Sequence, residues 1–174
     1  MTTINEFSQA FGQGQRSTLF QVRGEIPGSS TNQTERTFFI KSAQYPASTI
    51  GFIEVPFKGR KIKRPGDRTF AEWSLTVVQD ADNRIREDFI GWMNQLNSHE
   101  NITGATPGPA LFPTWTIEAL QQDDSISGGQ GIQLTNCFPT EVGTLEFNYE
   151  TVDTFAEFTV TLQYDYWTSQ KSND

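Results

Sequence analysis

The chain has 174 residues, a formal net charge of −8, one cysteine and one histidine. This length predicts a single domain over residues 1–174 that buries about two-thirds of the surface of its unfolded chain. The lone Cys137 excludes an internal disulfide, no apolar run approaches the roughly 20 residues of a membrane span, and no leader pattern is present. We therefore expect a protein that folds in a reducing cytoplasm without membrane contact.

The charges are segregated along the chain. Residues 1–87 carry twelve Lys and Arg against nine Asp and Glu, which gives +3, whereas residues 88–174 carry one Lys against twelve acids, which gives −11. The acidic half is also rich in aromatic residues and in alternating apolar patterns, which disfavours a disordered acidic tail. The sequence predicts one folded domain with two oppositely charged surfaces.

The N-terminal part begins with a polar arm, residues 1–15, in which only Phe7 and Phe11 are apolar anchors. Alternation of apolar and polar residues then predicts a short strand at residues 19–23 and a second strand over residues 37–45.

Residues 42–78 predict a projecting hairpin and the strand that follows it. Residues 49–57 are rich in β-branched and aromatic types, and Pro65-Gly66 fits the centre of a type II turn. Because Pro56 cannot donate to a strand ladder, its strand is expected at a sheet edge. The basic run between the two strands leaves neither face apolar enough for a core, so the hairpin should stand off the body.

The hydrophobic period changes to that of a helix after residue 79. Asp80 is the predicted N-cap of a helix over residues 80–97. Its apolar stripe consists of Ile85, Phe89, Met93 and Leu96, with Trp92 partly off the stripe. No other helix is predicted.

The C-terminal half reads as short strands. Residues 98–111 predict a loop, and strands are expected at residues 115–119, 132–138, 144–150 and 158–166, with turns at residues 127–131 and 139–140. These elements predict a mainly β fold: two packed antiparallel sheets in a sandwich or barrel, one flanking α-helix and the long projecting hairpin.

Catalytic patterns are weak throughout. His99 lies in a polar loop without clustered Cys, which disfavours a zinc site and a His-based triad. If the last strands pair, one face could carry four acids, but no apolar residues flank them to raise a pKa, so a solvated acidic surface is favoured over glycosidase chemistry. The four acids are Glu146, Glu150, Glu157 and Asp165. We expect no enzyme, no metal and no cofactor.

The basic run of the hairpin allows two interpretations. Lys and Arg could neutralise the phosphates of a nucleic acid, but aromatic interleaving is missing and the rest of the chain is acidic. A cationic hairpin on an otherwise anionic chain favours heterologous contacts between copies, which close into rings or stack into filaments. The residues expected at this contact are Lys58, Arg60, Lys61, Lys63, Arg64, Asp67 and Arg68.

Several long segments resemble the tail tube proteins of contractile-tailed, T4-like bacteriophages: EVPFKGRKIKRPGDRTF, DFIGWMNQLN, CFPTEVGTLEFNYE and EFTVTLQYDYW. The resemblance covers most of residues 19–167 and is weakest at 98–111 and 122–130. It implies hexameric rings that stack into a tube with a β-barrel inner wall, surrounded by a tail sheath protein. It also implies contact with baseplate and tail-terminator proteins, and a lumen that holds a tape-measure protein before DNA passes through it.

The resemblance further implies roles for individual surfaces. The hairpin would join successive rings, and the helix would face the sheath through Arg84, Glu87, Asp88 and Gln95. An anionic lumen would repel DNA in transit, and the hypothesis is that the four acids named above contribute to it. The implied location is the virion tail, assembled in the host cytoplasm.

Two other functions stay open at this point. One is the inner tube of a contractile injection or type VI-like secretion system. The other is a carbohydrate-binding or carbohydrate-hydrolysing β-sandwich, which predicts a monomer with a ligand cleft.

Overall fold

The computed structural model of the chain describes residue 4 and residues 15–29, 32–100, 108–121, 126–150 and 152–169. The predicted N-terminal arm lies almost entirely outside these residues. The strands are β1 (Phe20–Gly24), β2 (Ile40–Ala43), β3 (Ser48–Phe57), β4 (Arg60–Phe70), β5 (Trp73–Val78), β6 (Trp115–Leu120), β7 (Ile126–Thr135), β8 (Phe138–Val142), β9 (Glu157–Gln163) and β10 (Tyr166–Ser169). The helices are α1 (Gln33–Phe39) and α2 (Arg84–Leu96), with a 3-10 turn at Pro109–Leu111.

Two four-stranded antiparallel sheets form the body, as the sequence predicts. The first sheet has the strand order β1-β6-β7-β10 and the second the order β2-β5-β9-β8. Among the described residues neither sheet closes on itself, so the body is a sandwich and not a barrel. Strands β3 and β4 pair only with each other and form a third, separate sheet.

Alternation buries one face of each sheet in a shared core. Trp73 and Leu75 of β5 are at most 1% exposed, and Phe158 of β9 is 2% exposed. The Trp73 ring lies edge-on to Trp115 of the other sheet, with ring centroids 5.9 Å apart. Burial of large apolar side chains of this kind stabilises a fold by about 1.5–3 kcal/mol each, so these pairs hold the two sheets together.

Helix α2 begins four residues later than predicted. Asn83 adopts a left-handed conformation (φ 60°, ψ 15°) and ends the turn that precedes the helix. Asp80 still serves the helix, because its carboxylate accepts a hydrogen bond from the backbone N–H of Arg84 (3.1 Å). The predicted N-cap and first turn are therefore wrong, because the N-cap is Asn83, although the Asp80 carboxylate still binds the first N–H of the helix.

The buried face of α2 also differs from the predicted stripe. The buried side chains are Ile85, Phe89 and Trp92, whereas Met93 is only partly buried. The indole N–H of Trp92 donates to the carbonyl of Leu111 (3.0 Å), which satisfies its polar group inside the core. The helix is thus rotated toward its largest side chain.

Residues 33–39 form helix α1, not the first part of the predicted strand. Arg36 on this helix is only 9% exposed; burial lowers the pKa of its guanidinium, while the nearby Asp88 and Glu25 act in the opposite direction. The hydroxyl of Thr37 donates to the carbonyl of Val22 in β1 (3.0 Å). These contacts with distant residues override the local strand preference of the sequence.

Three predicted features of the C-terminal half are also wrong. The glycine-rich turn at residues 127–131 lies inside β7, and the turn at residues 139–140 lies inside β8. Pro139 fits there because β8 is an edge strand with an irregular register at this point. The last predicted strand is two strands, since the chain turns near Asp165 and passes from the second sheet to the first.

Cys137 is fully buried, and burial raises the pKa of its thiol to about 12. The thiol therefore stays protonated in the native state, and we expect it to react with a thiol reagent at about pH 8 only as fast as the protein unfolds. Absorbance of the released chromophore measures this rate. A sample in guanidinium should react at once, and equally rapid labelling of the native protein would contradict the placement.

Candidate assembly surfaces

The hairpin formed by β3 and β4 projects from the sandwich, as predicted. Every residue of β3 is exposed. Its base is closed by a hydrogen bond from the N–H of Ala71 to the carbonyl of Ala47 (3.0 Å). There Phe70 lies edge-on against Tyr164 and Trp167, with ring centroids 6.1 and 6.4 Å apart. The hairpin is therefore anchored to the core at its base and solvated along its length.

The turn of the hairpin lies at Lys58-Gly59 and not at Pro65-Gly66. Lys58 (φ 45°) and Gly59 (φ 80°) both have the positive φ of a type I′ turn, whose twist matches that of paired strands. Pro65-Gly66 instead lies within β4, beside a register shift that follows Ile50. Proline is tolerated at such a bulge, which explains why a turn signature is found inside a strand.

The register gives the hairpin two faces of different chemistry. One, the lysine face, carries Phe52, Glu54, Lys61 and Lys63. Lys61 Nζ lies 2.5 Å from a carboxylate oxygen of Glu54, and Lys63 Nζ lies 4.7 Å from the ring centroid of Phe52. The cations of this face thus have partners within the hairpin.

The opposite face, the arginine face, combines four apolar side chains with two arginines. Its members are Ile53, Val55, Phe57, Arg60, Ile62 and Arg64. The apolar side chains are 46–60% exposed. In the described part of the chain no carboxylate lies within ion-pair distance of either arginine. The sequence placed the arginines on one face correctly, but the apolar character of this face depends on the register of β3.

The other residues predicted at the subunit contact surround these faces. Lys58 is at the turn, with its Nζ 5.5 Å from the ring centroid of Phe57. Asp67 and Arg68 are exposed in the basal half of β4, where Arg68 is paired with Ile50. The structure therefore brings all seven predicted residues onto one hairpin, although they do not share one face.

A second exposed apolar surface lies in residues 143–150 and 152–156, here called the aromatic segment. The sequence predicts a strand at residues 144–150, but these residues form none. Phe147, Tyr149, Val152 and Phe155 are at least 76% exposed. The alternation is present in the sequence, yet no strand of the described chain pairs with it. Alternation in the sequence does not reveal this surface, because it predicts a paired strand at residues 144–150 and not an unpaired, exposed segment.

The hairpin and the aromatic segment leave opposite ends of the second sheet. Phe70 at the base of the hairpin contacts Tyr164, just after β9 ends. At the other end of β9, Gly143 donates its backbone N–H to the carbonyl of Thr159 (2.7 Å), and Ala156 directly precedes the strand. A strand of this length spans about 20 Å. The two exposed apolar surfaces are therefore separated by the length of the sheet.

The four acids predicted on one strand face are dispersed. Glu146 and Glu150 lie in the aromatic segment, which does not pair with β9. Glu157 begins β9 and forms an ion pair with Lys41. Asp165 accepts a hydrogen bond from the side-chain amide of Asn136 (2.6 Å). The prediction of a common strand face is wrong, because the alternating segment has no neighbouring strand.

The four helix residues predicted to face outward divide into two pairs. Arg84 and Glu87 are exposed. Asp88 accepts a hydrogen bond from the hydroxyl of Ser29, and the side-chain amide of Gln95 donates to the carbonyl of Pro27 (3.2 Å). Asp88 and Gln95 thus bind the loop that precedes α1 and do not face solvent freely. The exposed members of the four, Arg84 and Glu87, lie in the N-terminal half of the helix.

The described residues contain no group of three His, Cys, Asp or Glu side chains that could hold a metal. No helix among them is both long and apolar enough to span a membrane. An open cleft between the start of α2 and the aromatic segment is lined by Asp80, Arg86 and Phe147 among others, without a second carboxylate in its wall. This cleft therefore does not hold the carboxylate pair of a glycosidase.

Comparison with known proteins shows the family of the chain. The family model described as phage tail tube protein matches residues 3–170. The tail tube protein gp19 of Enterobacteria phage T4 is 32% identical over 167 residues, which cover 94% of this chain and 98% of that protein. A chain of the sheath-tube complex of the extracellular contractile injection system PVC has a TM-score of 0.66 at 15% identity, covering 97% of each chain. A chain of the anti-feeding prophage baseplate has a TM-score of 0.66 at 10% identity, covering 92% of this chain and 99% of the other.

Proposed function

We propose, because the chain belongs to the phage tail tube protein family, that its copies form hexameric rings that stack into the tube of a contractile tail. As a member of this family the chain is a structural protein of the virion tail and not an enzyme. The observation that carries the proposal is the family match, which spans residues 3–170.

The architecture supports assembly through several surfaces. Each sheet of the body ends in edge strands, whose outward N–H and C=O groups are suited to pair with another chain. Lateral pairing around a ring extends such a sheet into a continuous barrel, which removes its edges. The exposed hairpin and the aromatic segment lie at opposite ends of the body and are available for contacts along the tube.

The neighbours of the tube follow from the same proposal. We infer a sheath protein on the side of α2, where Arg84 and Glu87 are exposed, and baseplate and tail-terminator proteins at the two ends of the tube. A tape-measure protein fills the lumen before ejection, and DNA passes through it afterwards without specific binding. The net charge of −8 supports this last inference, because an anionic wall repels phosphate.

The composition of the lumen wall remains a proposal. For Glu157 and Asp165 we keep the placement in this wall. For Glu146 and Glu150 the argument from strand alternation no longer holds, since their segment forms no strand. A reconstruction of the tube that puts Glu157 and Asp165 on its outer surface would remove them from the wall.

The inner tube of a contractile injection or type VI-like secretion system is the second candidate. The fold of the PVC tube chain favours it, with a TM-score of 0.66. Neighbouring genes distinguish the two functions, because a phage requires capsid and tape-measure genes whereas an effector-delivering device does not require a capsid.

Negative-stain electron microscopy of the purified chain tests the proposal. We expect ring-shaped end views with sixfold symmetry and side views of stacked rings. Gel filtration in parallel reports the mass of any ring that has not stacked. A monomer at every concentration, including in the presence of a tail baseplate, would contradict the proposal.

A further inference from the structure

We infer that the arginine face of the hairpin of one copy docks on the aromatic segment of the next copy along the tube, with Arg60 and Arg64 paired to Glu146 and Glu150. This inference rests on the proposed tube and adds to it the two surfaces that meet. The partner is a second copy of this chain.

Both surfaces expose apolar side chains that no other part of the described chain buries. Of the large hydrophobic side chains that are exposed in the described residues, six belong to the hairpin and four to the aromatic segment. Contiguous exposed apolar patches on soluble proteins mark interaction sites. The two patches lie at opposite ends of β9, about 20 Å apart along the strand. In a head-to-tail arrangement of copies, the hairpin of one copy therefore faces the aromatic segment of the next.

The charges of the two surfaces are complementary. On the hairpin, Arg60 and Arg64 flank Ile62, and no carboxylate of the described chain reaches them. On the aromatic segment, Glu146 and Glu150 flank Phe147 and Tyr149 and are exposed. Each surface therefore presents apolar side chains bordered by two charges of one sign, and the signs are opposite. Arg suits this contact because its guanidinium pairs with a carboxylate in a bidentate geometry.

The lysine face is the less suitable of the two faces. Lys61 is already paired with Glu54, and Lys63 lies over the ring of Phe52. A new partner would have to replace these contacts, whereas Arg60 and Arg64 lose no ion pair of the described chain on docking. The internal cation contact of the arginine face lies at the turn, where Lys58 lies over the ring of Phe57. The face that docks is therefore the one whose charges are unmatched.

The geometry of this contact makes it heterologous. Different patches meet, so each added copy exposes a new hairpin at one end and a new aromatic segment at the other. Such a contact does not close on itself and extends the assembly ring by ring. It accounts for growth along the axis, while edge strands account for closure of the ring.

Two charge-neutralised variants test the docking face. Arg60→Gln with Arg64→Gln changes the arginine face, and Lys61→Gln with Lys63→Gln removes the same charge from the same strand on the other face. We expect the arginine variant to lose about tenfold or more of the sedimenting tube fraction, because close charge pairs across interfaces carry large couplings. The lysine variant should polymerise within about twofold of the unmodified chain, since its cations are paired internally.

A charge exchange then identifies the acceptor. Reversal at Arg60 and Arg64 to Glu, or at Glu146 and Glu150 to Arg, should each abolish stacking, and the chain that carries all four changes should recover it. Assembly of both single-surface variants, or failure of the exchange to restore tubes, would overturn the docking contact. So would tubes that form normally from the arginine variant and fail only to bind sheath, because the partner would then be the sheath. Rings and tubes of the unmodified chain report the proposed function separately; if none form, tube and contact fail together.

Discussion

Reversal of Arg60, Lys61 and Arg64 to glutamate is expected to leave a folded monomer that no longer forms tubes. The three side chains are exposed on a hairpin that contributes no strand to either sheet of the body, so the core should be unaffected. In the proposed contact Arg60 and Arg64 face a neighbouring copy, so their reversal places like charges across the interface, which suppresses association by several kcal/mol. Lys61 is paired with Glu54 within the hairpin, and its reversal adds less to the effect. Electron microscopy and sedimentation measure the loss of tubes.

The control for this variant is the stability of the body. The circular dichroism spectrum should match that of the unmodified chain and the midpoint of thermal unfolding should agree within about 2 °C, because surface substitutions away from the core change stability by about 0.5 kcal/mol. Tubes of normal length and number from a chain with this triple reversal would remove the hairpin from assembly.

The second large effect is expected in the core, at Gly24. A Cβ atom added there would lie 2.0 to 2.5 Å from three ring atoms of Trp115, which pairs with Gly24 across β1 and β6. Trp115 is 2% exposed and is held by Trp73 and Phe89, so its ring has little room to move. We expect Gly24→Ala to destabilise the fold by about 3 kcal/mol through overpacking.

The same substitution at Gly91 provides the matched control. A Cβ atom at this helical position has no neighbour within 4 Å, and Ala is about 1 kcal/mol more favourable than Gly within a helix. Differential scanning calorimetry should therefore show a midpoint lowered by about 6–12 °C for Gly24→Ala and raised by about 2–4 °C for Gly91→Ala. Equal midpoints for the two variants would contradict the packing of Trp115.

Local patterns were sufficient for much of the body. Alternation in β5 and β9 predicts which side chains enter the core, because each strand has one buried face and neighbours on both sides. The basic run and Pro56 predict an exposed hairpin, since neither suits a central strand. These elements follow from contacts that the sequence period describes directly.

The remaining elements depend on partners that are distant in sequence. Thr37 donates a hydrogen bond to the carbonyl of Val22 in β1, and this contact favours a helix where residues 37–45 predict a strand. Residues 144–150 alternate like a strand, but the described chain offers them no strand as a neighbour. In the proposed docking contact, the hairpin of a second copy is the neighbour of this segment. The strand predicted at residues 144–150 would then be absent because the single chain lacks that second copy.

The arginine face of the hairpin could likewise be predicted only in part from the sequence. The spacing of Arg60, Ile62 and Arg64 places them on one face, and the structure agrees. Their apolar neighbours Ile53 and Val55 come from the other strand, so the register had to be known before this face could be proposed as a docking surface. The sequence predicts which residues assemble the tube and leaves open how they meet.

Helical reconstruction by cryo-electron microscopy of tubes formed by this chain tests the central claim most directly. The account predicts six copies in each ring, and rings joined by hairpins that reach from one ring to the next. Rings with another number of copies, or stacked rings whose hairpins point into solvent without touching a second copy, would contradict it.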